Sequence, residues 1–210
     1  MTSRALEKAQ TRQKILDAAS RLSAERGFSS LSLRAVAEEA GIGPSSFYRH
    51  FTDLDDLGLA LVDQVGMNLR LLVRRARQSV LEDGGRNVVR APIRIFMELA
   101  ATNRNLFRLL LGEGSGSTPA FREAIAKEIQ RFTDDLVEDL KRGSVLTGRP
   151  LAHVEHAAEA MVTVAFNLGA ASVDKSAAER EETTERIIRE VRMIMRGAEA
   201  MAAGWEPSGN

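Results

Sequence analysis

An all-α fold is predicted by three features of the chain. Apolar residues recur at intervals of three and four, the period of a helix with one face against a core, and past Phe51 this pattern is uniform. A single Trp, a single Tyr and five prolines suit helices better than a sheet. Glycine and proline, as in Gly43-Pro44 and in Gly148 with Pro150, fall where one apolar stripe ends and the next begins. With 44% hydrophobic and 28% charged residues over 210 positions, the chain has enough apolar surface for one large or two modest cores. It divides into an N-terminal three-helix domain, 1–53, a larger helical domain, 54–205, and a tail, 206–210.

The first helix spans Thr11 to Arg26 with Ile15, Ala18, Ala19 and Leu22 on one stripe, and it stops at Gly27, where Phe28 and Leu31 fold back over it. Ser32 caps a second helix whose inward residues are Leu33, Val36, Ala37 and Ala40. Gly41 can take the left-handed conformation that ends it, Ile42 plugs the gap, Gly43 is the next cap, and Pro44 suits the first turn of a third helix. There Phe47 and Phe51 share the buried face, while Ser45, Ser46, Tyr48 and Arg49 project round the other side.

That outer face has the chemistry of a major-groove reader. Arg reaches guanine edges or phosphate, Tyr sets its ring against sugar or a thymine methyl and its hydroxyl on phosphate, and Ser donates to either. Two amphipathic helices joined by glycine also describe an ordinary solvated hairpin, and the pair alone does not separate the two readings. The preceding helix favours the first, because three helices can bury a small core behind the polar face. The chain is neutral overall, so attraction to nucleic acid has to be local, and residues 1 to 51 carry eight basic side chains against five acidic ones. Arg4 and Lys8 read equally as a mobile basic arm or as a frayed terminus.

A long helix from near Leu54 carries Leu57, Leu61, Val65, Leu69, Leu72 and Ala76 inward, and Asp53 and Asp56 are spaced as a capping box at its start. Its Arg70, Arg74, Arg75 and Arg77 form a face expected to be solvated and locally ion-paired, with DNA or an anionic ligand as the other reading. Glu82-Asp83-Gly84-Gly85 ends it, and Ala91-Pro92 opens a helix holding Ile93, Phe96, Met97 and Ala100. A short run from Asn105 to Leu111 leads to a loop at 112–117, closed by Thr118 as cap and Pro119 at the first helical position. Phe121, Ile125, Ile129, Phe132, Leu136 and Leu140 line the next helix, which is expected to end near Gly143. The last two helices carry Ala157, Ala158, Met161, Val164, Ala165, Leu168 and Ala171, then Ile187, Val191, Ile194, Met195, Ala198 and Met201. Such a pair completes a monomer core or meets a second copy.

Several classes of function are disfavoured. Without cysteine there is no disulfide, thiolate nucleophile or thiol switch. The first thirty residues lack an apolar signal segment, and no run approaches the roughly 20 residues needed to cross a bilayer, so a cytoplasmic chain without a membrane partner is expected. His153 and His156, three apart beside Glu155 and Glu159, have a metal-compatible spacing, but further ligands are missing and solvated helix-end histidines are the expectation. No metal, other cofactor or catalytic residue is expected, and the chain does not read as an enzyme.

The segments Thr11-Arg12-Gln13-Lys14-Ile15-Leu16-Asp17-Ala18-Ala19, Arg26-Gly27-Phe28 and Phe47-Tyr48-Arg49-His50-Phe51 resemble, in order and spacing, the N-terminal domain of TetR-family regulators. The resemblance implies a repressor that acts as a homodimer on a palindromic double-stranded DNA operator, with a helical C-terminal domain that binds a small-molecule effector and moves the two DNA-reading domains apart. It implies that Ser45, Ser46, Tyr48 and Arg49 face bases and that Thr11, Arg34, Tyr48 and His50 approach phosphates. It makes the last two helices a dimer interface through Met161, Val164, Ala165, Leu168, Ile187, Val191, Ile194, Met195 and Ala198. Gly43 and Leu54 depart from the serine and lysine often found there.

A narrower likeness extends over nearly the whole chain. Ser30-Leu31-Ser32-Leu33-Arg34, Leu57-Gly58-Leu59-Ala60-Leu61-Val62, Asn105-Leu106-Phe107-Arg108-Leu109-Leu110 and Glu159-Ala160-Met161-Val162-Thr163-Val164 look like the FabR and DesT branch, which controls unsaturated fatty acid synthesis. That likeness implies long-chain acyl-CoA as effector. Phe96, Leu99, Phe107, Leu110, Phe132, Met161 and Phe166 are the candidates to line its tunnel, with core packing the alternative for each. Arg104, Arg108 and Arg122 are candidates for coenzyme phosphates or plain surface arginines. The alternative to fatty acid control is a repressor of an efflux or catabolic operon that answers another apolar molecule.

Overall fold

The computed structural model describes residues 3–82, 88–110 and 119–205. Among them the chain is all helical: α1 (Ser3–Arg26), a 3₁₀ turn at Phe28–Ser30, α2 (Leu33–Glu39), α3 (Pro44–Phe47), α4 (Leu54–Glu82), α5 (Arg90–Thr102), α6 (Arg104–Leu110), α7 (Pro119–Thr147), α8 (Val154–Ala170) and α9 (Ala177–Ala202). The expected stop at 83–85, Leu111, the loop at 112–117, its Thr118 cap and the 206–210 tail lie outside the described residues. Contacts group the chain into two compact units, 1–67 with 103–128 and 68–102 with 129–210. The boundary drawn at residue 53 lies inside the first, since Leu57, Leu61 and Val62 of α4 are fully buried there.

In the first unit, α1 begins at Ser3 rather than Thr11. Residues 4–10 are exposed and show no apolar stripe, but alanine, leucine, glutamate and lysine among them are good helix formers, and the Thr11 hydroxyl donates to the Glu7 carbonyl one turn back at 2.9 Å. Arg4 and Lys8 therefore sit on a helix. Ile15, Ala18 and Ala19 of α1, Val36 of α2, and Phe47 and Phe51 are buried together as the core. α6 is tied to the end of α1 by the Asn105 side-chain amide, which donates to the Ala24 carbonyl at 2.7 Å. Phe107 of α6 is buried in this same unit.

The second unit packs α5, α8 and α9 with the later parts of α4 and α7. α8 and α9 run antiparallel, and the Ala152 N–H donates to the Ala198 carbonyl at 3.0 Å where the start of one meets the end of the other. α9 opens on a full capping box: the Ser176 hydroxyl accepts from the Glu179 N–H, and the Glu179 carboxylate accepts from the Ser176 N–H at 2.9 Å. α5 is clamped to α9 by Arg90, which grips Glu185 with two nitrogens at 2.6 and 2.8 Å, and by Arg94 on Glu181 and Glu185. The Arg90 guanidinium, followed by that of Arg94, holds the Glu185 carboxyl below its usual range against the opposing effect of burial.

Two expectations are corrected here. α7 runs through Gly143 to Thr147, because a lone glycine only weakens a helix, and the chain turns instead at Gly148, whose φ of 64° is the left-handed conformation that ends one. Along α4 the buried row is Leu69, Val73 and Arg77, whereas Leu72 is exposed. The inward face drifts by one residue because Arg77 turns in to meet a carboxylate on α7.

Candidate nucleic-acid interface and effector cavity

Ser32 caps α2 as expected, its hydroxyl accepting from the Ala35 N–H at 3.2 Å. The helix ends where Gly41, at φ 66°, lets the Ile42 N–H donate back to the Ala37 carbonyl at 3.0 Å. Gly43 caps α3 with backbone alone and Pro44 occupies the first turn. α3 is regular only as far as Phe47. Tighter bonds then take over, from the Arg49 N–H to the Ser46 carbonyl and from the His50 N–H to the Phe47 carbonyl. The Phe51 N–H still reaches the Phe47 carbonyl at 3.1 Å, so the two rings stay on one face, 5.8 Å apart and buried. The Arg12 guanidinium lies 4.9 Å from the centre of the Phe51 ring, a cation–π contact that pins α1 to this segment.

This packing decides what faces outward. Ser45, Tyr48 and Arg49 are exposed, Tyr48 with 59% of its surface free although its ring edge rests on Phe47 at 5.9 Å. Ser46 and His50 are half-buried beside them, Thr11 is half-buried on α1, and Arg34 is exposed on α2. All seven residues expected at DNA lie in the first unit. Lys8, which composition assigned to no site, joins them, since its charge is felt at His50. At the start of α4 the acidic cap is built differently from the spacing rule: Asp53 accepts from the Asp56 N–H at 2.8 Å, but the Asp56 carboxylate accepts from Thr52 rather than from Asp53.

The second unit contains a cavity of about 110 Å³. Phe96, Phe132, Met161 and Phe166 line it, with Phe166 5.2 Å from each of the Phe96 and Phe132 rings. Leu99 is half-buried outside the lining, Phe107 belongs to the other unit, and the side chain of Leu110 lies outside the described residues. Of the residues expected at a dimer interface, Met161, Ile187, Val191 and Ala198 are buried within the single chain, and Val164, Ala165, Leu168, Ile194 and Met195 are half-buried. Met161, Ala165, Val191 and Met195 also line the cavity.

Sequence reasoning missed the two charged residues on that wall, Arg77 and Asp139. They belong to a ladder in which Arg70, Arg74 and Arg77 of α4 face Asp135, Glu138 and Asp139 of α7, with contacts of 2.7 to 3.4 Å. Three arginines and three acids at matching helical spacing were the available signal, but each row alone looks like a solvated face. His153 and His156 stack with ring centres 6.0 Å apart, and no group of three or more potential metal ligands occurs among the described residues. No described helix is long and apolar enough to cross a membrane.

Residues 15–61 match the model of bacterial regulatory proteins of the tetR family, and residues 86–194 match that of the tetracyclin repressor-like C-terminal domain. The chain belongs to the TetR family. Among solved TetR-family folds, the reduced form of E. coli NemR superposes with a TM-score of 0.70 at 18% identity, over 89% of this chain and 98% of that one. The fatty acid degradation regulator FadR from Bacillus halodurans gives 0.65 at 16% identity over 87% and 96%. Salmonella enterica GusR gives 0.63 at 18% identity over 89% and 96%. At these identities the likeness is one of fold. This TetR-family chain is a transcriptional regulator with an N-terminal helix-turn-helix domain and a helical C-terminal domain.

His50 provides a probe of the DNA-facing unit. Burial first, then the charges of Lys8, Arg12 and Arg49, lower its pKa from the ordinary 6.5, and its buried Nδ1 has no hydrogen-bond partner. The unfolded chain therefore binds more protons just below pH 6.5 than the folded one, and the stability this group contributes is full above that pH and lost on acidification through the folded pKa. Thermal melts of wild type and His50→Gln across this range should show the wild type losing stability relative to the variant as pH falls; parallel curves would show that the imidazole does not titrate against folding.

Proposed function

We propose that the chain is a ligand-responsive repressor that binds a palindromic operator as a homodimer. The observation that carries the reading is the exposed set of Ser45, Tyr48 and Arg49, backed by the buried Phe47 and Phe51 and bordered by Arg34, Ser46, His50 and Thr11. Ser45, Ser46, Tyr48 and Arg49 read bases, and Thr11, Arg34, Tyr48 and His50 hold phosphates. The dimer forms through α8 and α9. A groove of about 410 Å³ between them, walled by Ala157, Ala160, Ile194, Gly197, Ala198 and Met201, has the small side chains that close helix approach requires. Two-fold symmetry would set the recognition helices about 34 to 36 Å apart, one turn of B-DNA.

The effector occupies the cavity, and it shifts DNA affinity only by as much as it binds one state of the protein better than another. By the likeness to the FabR and DesT branch, that effector is a long-chain acyl-CoA and the controlled genes serve desaturation or unsaturated fatty acid synthesis. One observation favours the second reading, an efflux or catabolic operon answering a smaller apolar molecule. The cavity is smaller than the ~150 Å³ engineered cavity that accepts benzene, so a long chain would have to part its helices.

Arg49→Ala should weaken operator binding by about 1 to 3 kcal/mol while leaving nonspecific binding less affected; equal loss on every sequence would make Arg49 a phosphate contact. Ile194→Glu should sediment as a monomer, and an unchanged dimer would remove Ile194 from the interface. In gel shifts on the DNA upstream of its own gene and of neighbouring lipid genes, saturated and unsaturated acyl-CoA should change operator binding to different extents. No response to either would leave the smaller-molecule reading.

A further inference from the structure

We propose that the cavity selects its effector by an uncharged polar group that both donates and accepts hydrogen bonds, a hydroxyl or an amide, held between Asp139 and Arg77. The inference rests on the reading of the cavity as the effector site and names the chemistry that site requires. Apart from this pair, the side chains on the wall are apolar, including Val73, Phe96, Phe132 and Phe166. Both charged residues are buried, and Arg77 Nε donates to Asp139 Oδ2 at 2.9 Å. The other carboxylate oxygen, Oδ1, is buried and accepts no hydrogen bond; Arg74 Nε stands 3.9 Å from it, beyond hydrogen-bond reach. Among the described residues Arg77 is bonded through Nε alone, which leaves its terminal N–H groups as donors.

An unmet carboxylate oxygen in an apolar wall is costly, and a ligand donor relieves that cost. The charges decide which ligands do so. Arg70, Arg74 and Arg77 are balanced by Asp135, Glu138 and Asp139, so the wall is neutral before a ligand arrives. A carboxylate would compete with Asp139 for Arg77 and leave one buried negative charge uncompensated, and an ammonium would face the same problem with the opposite sign. A hydrocarbon meets neither charge but leaves Oδ1 bare. A neutral hydroxyl or amide gives its proton to Oδ1 and accepts from Arg77, and the ladder stays balanced. Alcohols and the amide of an acyl-CoA's pantetheine arm share this chemistry, whereas a free fatty acid anion does not.

Calorimetric titration of the full chain at pH 7 with toluene, benzyl alcohol, benzamide, benzoate and benzylammonium tests this with bodies of one size. Benzyl alcohol or benzamide should bind about tenfold or more tightly than toluene, and both ions more weakly than either; the stronger of the two neutral compounds identifies hydroxyl or amide as the favoured group. The double variant Arg77→Met/Asp139→Leu replaces the pair by apolar side chains, a change buried pairs often tolerate, and should bind toluene and benzyl alcohol alike. Asp139→Asn provides a second check, because one acceptor becomes a donor: preference should move from benzyl alcohol toward benzaldehyde, which only accepts. Benzoate binding as tightly as benzyl alcohol, failure of every compound to bind, or a preference that survives the double variant would overturn the inference. Selective binding with no change in operator affinity would instead overturn the effector reading and leave the head-group recognition standing.

Discussion

A helix as short as α3 has too few backbone hydrogen bonds to persist alone, so the surface it displays exists only because Phe47 and Phe51 are buried behind it. Every outward feature of the N-terminal unit depends on that burial. The rings fix the rotation of the segment, which aims Ser45, Tyr48 and Arg49 away from the core, and Arg12 lies over Phe51 from α1 to hold the arrangement from the other side. Ser32 and Gly41 set the length of α2 and so the place at which α3 starts. The polar residues contribute little to the fold, and their freedom from it makes them available for DNA.

The second unit solves a different problem. Its cavity has apolar walls of Phe96, Phe132 and Phe166, a composition that alone would favour any hydrocarbon of suitable size. Asp139 and Arg77 add direction to that wall. A buried ion pair is weak evidence for stability, since well-packed apolar residues serve as well or better. Its retention beside a cavity, with one carboxylate oxygen left without a donor, is more readily understood as specificity. The rest of the ladder keeps this charge in balance: Arg74 is held well protonated, first by its hydrogen bond to Glu138 and then by the nearby Asp135 and Asp139 charges, against the effect of burial.

Much of this architecture was legible in the chain because local rules governed it. The Ser32 cap, the turn at Gly41, the buried pairing of Phe47 with Phe51, and the Ile93, Phe96, Met97 and Ala100 stripe of α5 all follow from spacing and backbone preference. Where periodicity was silent or ambiguous, reading failed. The first turns of α1 have no buried face, so no stripe announced them, and Gly143 looks like a stop although Gly148 is where the backbone turns left-handed. Leu72 and Val73 are neighbours of equal hydrophobicity, and only the partner of Arg77 decides which one turns inward.

The sequence by itself determined the helical class, the order of the elements and the polar set on the outer face of the third helix, because each rests on residues within one or two turns of one another. The tertiary structure alone decided which apolar residues surround a cavity and which fill a core. Phe96, Phe132 and Phe166 meet around one space while Phe107 is buried in the other unit, although all four carry the same side chain on similar helices. It also decided that Arg77 and Asp139, 62 positions apart, share one hydrogen bond. Side-chain chemistry is written locally, but the partner of a buried charge is set by which helices pack together.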